Sequence, residues 1–228
     1  MTTLAELIDQ VEADLADSGN ATWAAADIQQ WLVDAIADYS QHFQRELSVN
    51  LSITTDDDRR HDLPDIVVGI VSVEYPNGED PPKYLQPRSH THPDFWIEPG
   101  YFDYIVSGND TDADEIWISE KPTATQAIRV RYLAHHDLPT ATSTPLTVPD
   151  EHQYILRNYA LWRAAMQLKI IEEASPTSNS SLIMSQLAVN VDRMRRAYVD
   201  SLAKALYATS RSKPVSWRGH TSENSRVY

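Results

Sequence analysis

TWAAADIQQWLVDAIADYSQHFQRE, residues 22–46, decides the fold class. Ile28, Trp31, Leu32, Ala35, Ile36, Tyr39 and Phe43 recur at steps of three and four, whereas Asp27, Gln30, Asp34, Asp38 and Gln41 fall between them. At 3.6 residues per turn the first set makes one apolar stripe, so the stretch is predicted to be a helix of roughly 35 Å at about 1.5 Å per residue. Such a stripe must be covered, and the chain offers one helical segment before it and two near its far end.

The earlier segment opens with Thr3 and Glu6, the spacing of a capping box, and continues as a stripe of Leu4, Leu7, Ile8, Val11 and Leu15 that ends at Ser18, Gly19 and Asn20. Beyond Glu46 the period becomes two. Leu47, Val49, Leu51 and Ile53 alternate with Ser48, Asn50, Ser52 and Thr54, and Asp56 to Asp58 read as a turn. Further strands are expected at 66–75, 83–86, 101–107, 115–119 and 127–133, separated by Pro76–Asn77–Gly78, a loop carrying Phe95 and Trp96, the acidic GNDTDAD and Lys121–Pro122.

Helical periodicity returns after the Thr-rich linker LPTATSTPLTVP. Asp150 and Gln153 repeat the capping spacing, and residues 154–171 are apolar over much of their circumference, as in a centrally placed helix. The last helix carries Ile183, Leu187, Val191, Met194, Tyr198, Leu202 and Leu206 on one side and Arg193, Arg195 and Arg196 outside it. The expectation is an α+β chain in which the two ends, 1–46 and 149–208, form a four-helix bundle, 47–148 is an antiparallel β-rich insertion, and 209–228 is an extended tail.

The composition bounds the function. The chain has 228 residues, 42% hydrophobic and 23% charged, enough to bury a substantial core. With no cysteine, thiolate metal sites, disulfides and a cysteine nucleophile are excluded. No run approaches the 18 or so apolar residues of a membrane helix, and Glu6 and Asp9 do not suit a signal peptide, so a soluble protein is expected. The net charge of −14 repels phosphates and disfavours sequence-blind DNA binding through the body. Asp outnumbers Glu and Arg outnumbers Lys, a skew that suits a halophilic host; a channel wall past which DNA slides would also use such acidity.

The tail reverses this sign. Arg211, Lys213, Arg218 and Arg226 face one acid, Glu223, and are interleaved with Pro214, Val215, Trp217 and Tyr228. Aromatic residues flanked by arginine suit a docking arm that orders in a partner's groove.

Catalytic signatures are weak. His90 and His92, and His135, His136 and Asp137, match no metal-ligand spacing, and neighbouring histidines on a strand or turn point apart, so no metal site and no cofactor are expected. GxSxG, P-loop and GxGxxG motifs are absent, and six glycines leave little for a phosphate cradle. With 33 acids some carboxylate pair will always suit glycan hydrolysis, which keeps a cell-wall hydrolase as the alternative reading. Trp96 and Trp117 could also serve a sugar-binding β module. Core packing explains Trp31, Trp117 and Trp162 better, while Phe95 and Trp96, with Arg193, Arg195 and Arg196, are candidates for a subunit interface.

The layout of two N-terminal helices, a β-rich insertion, two C-terminal helices and a tail resembles the head-to-tail adaptor, or head-completion, proteins of tailed phages. DIQQWLVDAIADYS, VEYPNGEDPPKYL, HPDFW, IWISEKP and VRYLAHHDLPT are the strings that carry the likeness, over about residues 1–208. The resemblance implies a non-enzymatic virion protein: a homo-oligomeric ring of about twelve subunits that joins the portal protein to a tail or stopper protein in the neck and lines the path of the genomic DNA. It implies assembly in the host cytoplasm and no membrane. The tail residues Lys213, Pro214, Val215, Trp217, Arg218, Arg226 and Tyr228 would then grip the portal, although the tail itself matches no family motif. A stopper or tail-terminator ring is the neighbouring alternative within the same neck.

Overall fold

The computed structural model describes residues 2–17, 22–64, 66–107, 113–175 and 180–212. Among the described residues there are four α-helices and seven strands: α1 (Leu4–Asp14), α2 (Ala25–His42), β1 (Arg45–Ser52), β2 (Arg60–Asp62), β3 (Val67–Glu74), β4 (Tyr84–Pro87), β5 (Tyr101–Ile105), β6 (Glu115–Ile118), β7 (Ala127–Ala134), α3 (Gln153–Ala174) and α4 (Ser180–Ser212). They fall into two compact units, one made of Met1–Ala35 with Pro139–Tyr228, the other of Ile36–Leu138.

In the first unit the capping box forms as its spacing requires. The Glu6 N–H donates to Thr3 Oγ1 at 3.3 Å and the Thr3 N–H to Glu6 Oε2 at 2.9 Å, so two otherwise unpaired amides at the start of α1 are satisfied. Leu4, Leu7, Ile8 and Val11 are buried beneath it. Asp17 then fixes the approach to α2, its carboxylate accepting from the backbone N–H of Thr22 (3.0 Å) and Trp23 (2.8 Å). Trp23 packs edge-on against Trp31 at 5.5 Å, and Ile28, Trp31, Leu32 and Ala35 are buried.

The segment before α3 is more than a linker. Leu146 and Val148 are buried, and its backbone bonds to residues 2–5 through Leu4 N–H to Thr144 O (3.3 Å), Ala5 N–H to Thr142 O (2.8 Å) and Leu146 N–H to Thr2 O (2.9 Å). At Asp150 a 3₁₀ turn, Asp150–His152, leads into α3, and Asp150 Oδ1 accepts from Gln153 Nε2 at 2.7 Å.

α3 packs on α4, and Ala160 and Ala164 of the one and Ala205 of the other are buried. Tyr159 and Trp162 meet Tyr198 at 5.3 and 6.1 Å, and Tyr154 donates to Ser201 O at 3.3 Å. Arg157 joins α3 to α1 through Asp14, with Nε and Nη2 at 3.0 and 2.5 Å from one carboxylate oxygen. Only the first half of α3 is central. Leu168, Ile170 and Ile171 in its second half are 37%, 57% and 51% exposed. α4 continues to Ser212, past the start assigned to the tail at 209; of its expected stripe Tyr198 is buried, Ile183, Leu187, Val191, Met194 and Leu202 are partly covered, and Leu206 is exposed.

In the second unit the end of α2 buries Ile36 and Tyr39, with Tyr39 stacked on Phe43 at 4.7 Å. The sheet runs β1-β7-β3-β4-β5-β6-β2 and is antiparallel except at β4–β5. It curls around one core that includes Val73, Leu85, Phe102, Ile116, Ile118, Ile128, Val130 and Tyr132. The short, polar β2 carried no alternation to announce it; its three residues are held by pairing with β6, Arg60 opposite Trp117.

Ile128, wholly buried on β7, tests this core: Ile128→Ala is expected to lose about 2–5 kcal/mol of unfolding free energy in a urea titration. Val71→Ala, at a site 46% exposed on β3, should stay within about 0.5 kcal/mol of the parent.

Candidate functional site

Alternation on β6 builds the most chemically distinctive surface of the second unit. In Glu-Ile-Trp-Ile the two isoleucines, Ile116 and Ile118, face the core, which turns Trp117 to the opposite side of the sheet. The register then sets Trp117 between Asp103 of β5 and Arg60 of β2. The Arg60 guanidinium lies 4.1 Å from the Trp117 ring centre, a cation–π contact. His90 approaches the same indole at 4.5 Å and is held there by Asp103 Oδ2, which lies 2.8 Å from its backbone nitrogen and 2.7 Å from its Nδ1.

A 3₁₀ turn, Pro93–Trp96, adds the next ring. His92 Nδ1 accepts from the Asp94 N–H at 3.3 Å at the turn's start, and Phe95 anchors it with no exposed surface. Trp96 stands edge-on to Phe95 at 4.8 Å and 6.0 Å from Trp117, with Arg59 above it at 5.4 Å. Trp96 is 40% exposed and the adjacent Ile97 79%. Arg88 extends the pattern, 3.9 Å over Tyr101 and 3.7 and 3.4 Å from Asp94 and Glu98. Guanidinium groups on ring faces, beside an exposed Trp-Ile step, suit recognition of another macromolecular surface.

Of the expected interface pair, Phe95 is thus enclosed by its own unit and Trp96 is presented. Trp117, expected in the core, lies half-buried on the other face, because Ile116 and Ile118 already occupy the inward positions. Trp31 is buried as expected; Trp162 is half-exposed as a residue, though its Nε1 is buried with no hydrogen-bond partner among the described residues. Arg193, Arg195 and Arg196 are exposed on α4, where Arg195 and Arg196 line a 330 Å³ depression with Asp192, Val199 and Asp200. Lys213, Pro214, Val215, Trp217, Arg218, Arg226 and Tyr228 lie outside the described residues.

The histidines are held separately. His90 is on Asp103, His92 on Asp94, and His135 Nδ1 is 3.2 Å from Ser40 O, while the His136 N–H donates to Ser40 Oγ and Arg45 pairs with Asp137 at 2.6 Å. Among the described residues no three His, Asp or Glu side chains gather as a metal site would require.

The contributions of Arg59, Arg60, Arg88 and His90 escaped the sequence reading. The one usable signal was the flanking of Trp117 by two isoleucines.

A family model described as SU10 adaptor protein matches residues 2–218. The chain belongs to that family. No curated protein matches the chain. SU10 adaptors are structural proteins of phages, and membership places the chain in the virion neck, in association with other neck proteins such as the portal and the tail. The match takes in both chain ends and the sheet, so the adaptor fold comprises both units. No helix among the described residues is long and apolar enough to cross a membrane.

Two tyrosines of the same unit have raised pKa values. Tyr104 donates to Asp114 Oδ2 at 2.5 Å, and burial, then that hydrogen bond and the carboxylate's charge, push its pKa well up. Tyr75, bonded to Gln126, is raised by burial and then by Glu120. A raised phenol pKa means that the fold favours the neutral ring. The stability it contributes is complete below the ordinary value of 10.0 and is lost as pH rises beyond it. Melting temperature followed from neutral to alkaline pH should fall above 10.0, and Tyr104→Phe should flatten part of that fall. An unchanged slope would contradict the assignment.

Proposed function

We propose that this adaptor closes into a ring of about twelve copies, seated between the portal and a tail or stopper protein, with the genomic DNA passing through its lumen. The family match over residues 2–218 carries this reading. The helices α1 to α4 act as a bundle at the portal side of the chain's work, and the sheet unit supplies contacts between copies. Residues 213–228, with Lys213, Pro214, Val215, Trp217, Arg218, Arg226 and Tyr228, are the arm that grips the portal. Arg193, Arg195 and Arg196 on α4 and Trp96 on the sheet unit meet neighbouring copies.

The physical supports are independent of the likeness. Each unit leaves apolar groups uncovered, Ile170, Ile171 and Val189 in one and Trp96 and Ile97 in the other, as a subunit awaiting its neighbours would. A net charge of −14 lets DNA slide past without adhering, and its Asp and Arg skew suits a virus of a halophilic archaeon that assembles in the host cytoplasm.

Light scattering or native mass spectrometry of the protein, alone and with the portal protein of the same genome, tests the ring. A closed assembly formed with the portal is expected, and a chain that stays monomeric beside the portal at every salt concentration would sink the reading. A chain ending at Ser212 should retain its circular dichroism yet bind the portal more weakly, and Trp217→Ala should cost about 2 kcal/mol or more of portal affinity if it is an anchor. Equal binding by the shortened chain would remove the arm from the portal contact. Assembly should also shift tryptophan emission to the blue, and Trp96→Phe should reduce that shift.

A further inference from the structure

The sheet unit carries an apolar knob and, elsewhere on its surface, a hollow of matching character. The knob is Ile97, 79% exposed where the 3₁₀ turn ends. A lone exposed isoleucine would mean little, but this one adjoins Trp96, itself 40% exposed. Among the described residues the Trp96 indole N–H has no hydrogen-bond acceptor, whereas that of Trp117 has Glu115 at 2.5 Å. An apolar body with an unused donor at its edge is what a tryptophan offers to a partner.

The hollow lies where the end of α2 meets the residues that follow β7. It has a volume of 270 Å³ and is lined by Ala37, Ser40, Gln41, His135, His136 and Leu138, the last 50% exposed. Several of its polar atoms are already paired. Ser40 Oγ donates to Ile36 O at 2.7 Å and accepts from the His136 N–H at 3.1 Å. His135 Nδ1 lies 3.2 Å from Ser40 O, so that nitrogen carries the proton and Nε2 is an acceptor in the neutral ring. An apolar cavity of about 150 Å³ already holds a benzene ring, so this one has room for an isoleucine side chain and the edge of an indole.

Knob and hollow occupy different places on one sheet. β7, which leads to the hollow, and β5, which the knob's turn precedes, are separated by β3 and β4 in the strand order. Two unlike patches that fit each other generate a head-to-tail contact between copies, the kind that closes into a ring.

We infer that Ile97 of one copy enters this hollow on a second copy of the chain, beside Ala37 and Leu138, while the Trp96 N–H donates to His135 Nε2. This contact would close the ring proposed above, on which the inference rests.

The chain lacks cysteine, so introduced pairs report the contact without background. Glu98→Cys, which leaves Trp96 and Ile97 in place, is combined in the full-length protein with Ala37→Cys or Gln41→Cys at the hollow, and with Asn50→Cys on β1 as a control; all four positions are exposed. A disulfide needs Cβ atoms within roughly 3.5–4.5 Å. Oxidation alone and beside the portal protein should give a ladder of linked chains extending past the dimer for at least one hollow pair, with the Asn50 pair unlinked. No hollow-pair disulfide, linkage that stops at the dimer, or equal linkage through Asn50 would overturn the contact. Ile97→Glu should weaken assembly about tenfold or more, and Val106→Glu, at a site 66% exposed in the same unit, should leave it unchanged. Assembly of Ile97→Glu like that of the parent would also overturn it. A ladder in a chain that never closes with the portal keeps the contact and rejects the ring, whereas closed assemblies without a ladder keep the ring and reject the contact.

Discussion

Burial of one uninterrupted apolar stripe on α2 is the constraint on which both units depend. Ile28, Trp31, Leu32 and Ala35 are buried in the stretch of α2 that belongs to the helical unit, and Ile36 and Tyr39 in the stretch that belongs to the sheet unit. A helix that is buried along both stretches needs its stripe to hold phase through all 18 of its residues, since a single insertion would rotate one set into solvent by about 100°. That requirement explains why this stretch, more than any other, announces the fold.

The same physics separates what was legible from what was not. Helices with their own period and strands with strict alternation could be placed from local sequence, because burial on one face imposes a pattern that a short window contains. β1 and β7 are of this kind. β2 is not: Arg60, His61 and Asp62 have no alternation, and their strand exists only because β6 offers a partner. The segment before α3 misled for a related reason. Thr142 and Thr144 supply backbone carbonyls to residues that lie far away in the chain, and hydrogen bonds of that range leave no trace in composition. At Asp150 the capping spacing marked a 3₁₀ turn that leads into α3, with the Gln153 side-chain amide donating to the carboxylate.

The candidate surface was half legible. Trp96 stood out because a tryptophan in a loop has no periodic reason to be there. Trp117 was read as core, although Ile116 and Ile118 beside it fill the inward positions and an alternating strand has only two sides. The arginines over the rings were beyond reach of sequence reading, since Arg60 meets Trp117 through strand register and Arg59 meets Trp96 through a loop that returns from a different part of the chain. A protein whose work is adhesion gives fewer sequence signals than an enzyme does, because any exposed apolar or guanidinium group of suitable shape can contribute.

Charge sets the terms on which such a protein assembles. Copies that each carry −14 repel one another, and closing them into the proposed ring would raise that repulsion. At about 0.1 M salt the field is screened beyond roughly 10 Å, so what remains to decide association is the contact zone itself. There the net charge of the chain is irrelevant and the local sign is not: Arg59, Arg60 and Arg88 lie on aromatic rings in the unit that carries Trp96 and Ile97, and Arg193, Arg195 and Arg196 lie between Asp192 and Asp200 on α4. Concentrating cations and uncovered apolar groups on small patches of an otherwise acidic surface makes attraction short-ranged while repulsion of phosphates persists elsewhere. On the proposed function both conditions have to be met at once, since the protein would hold its neighbours and let DNA pass.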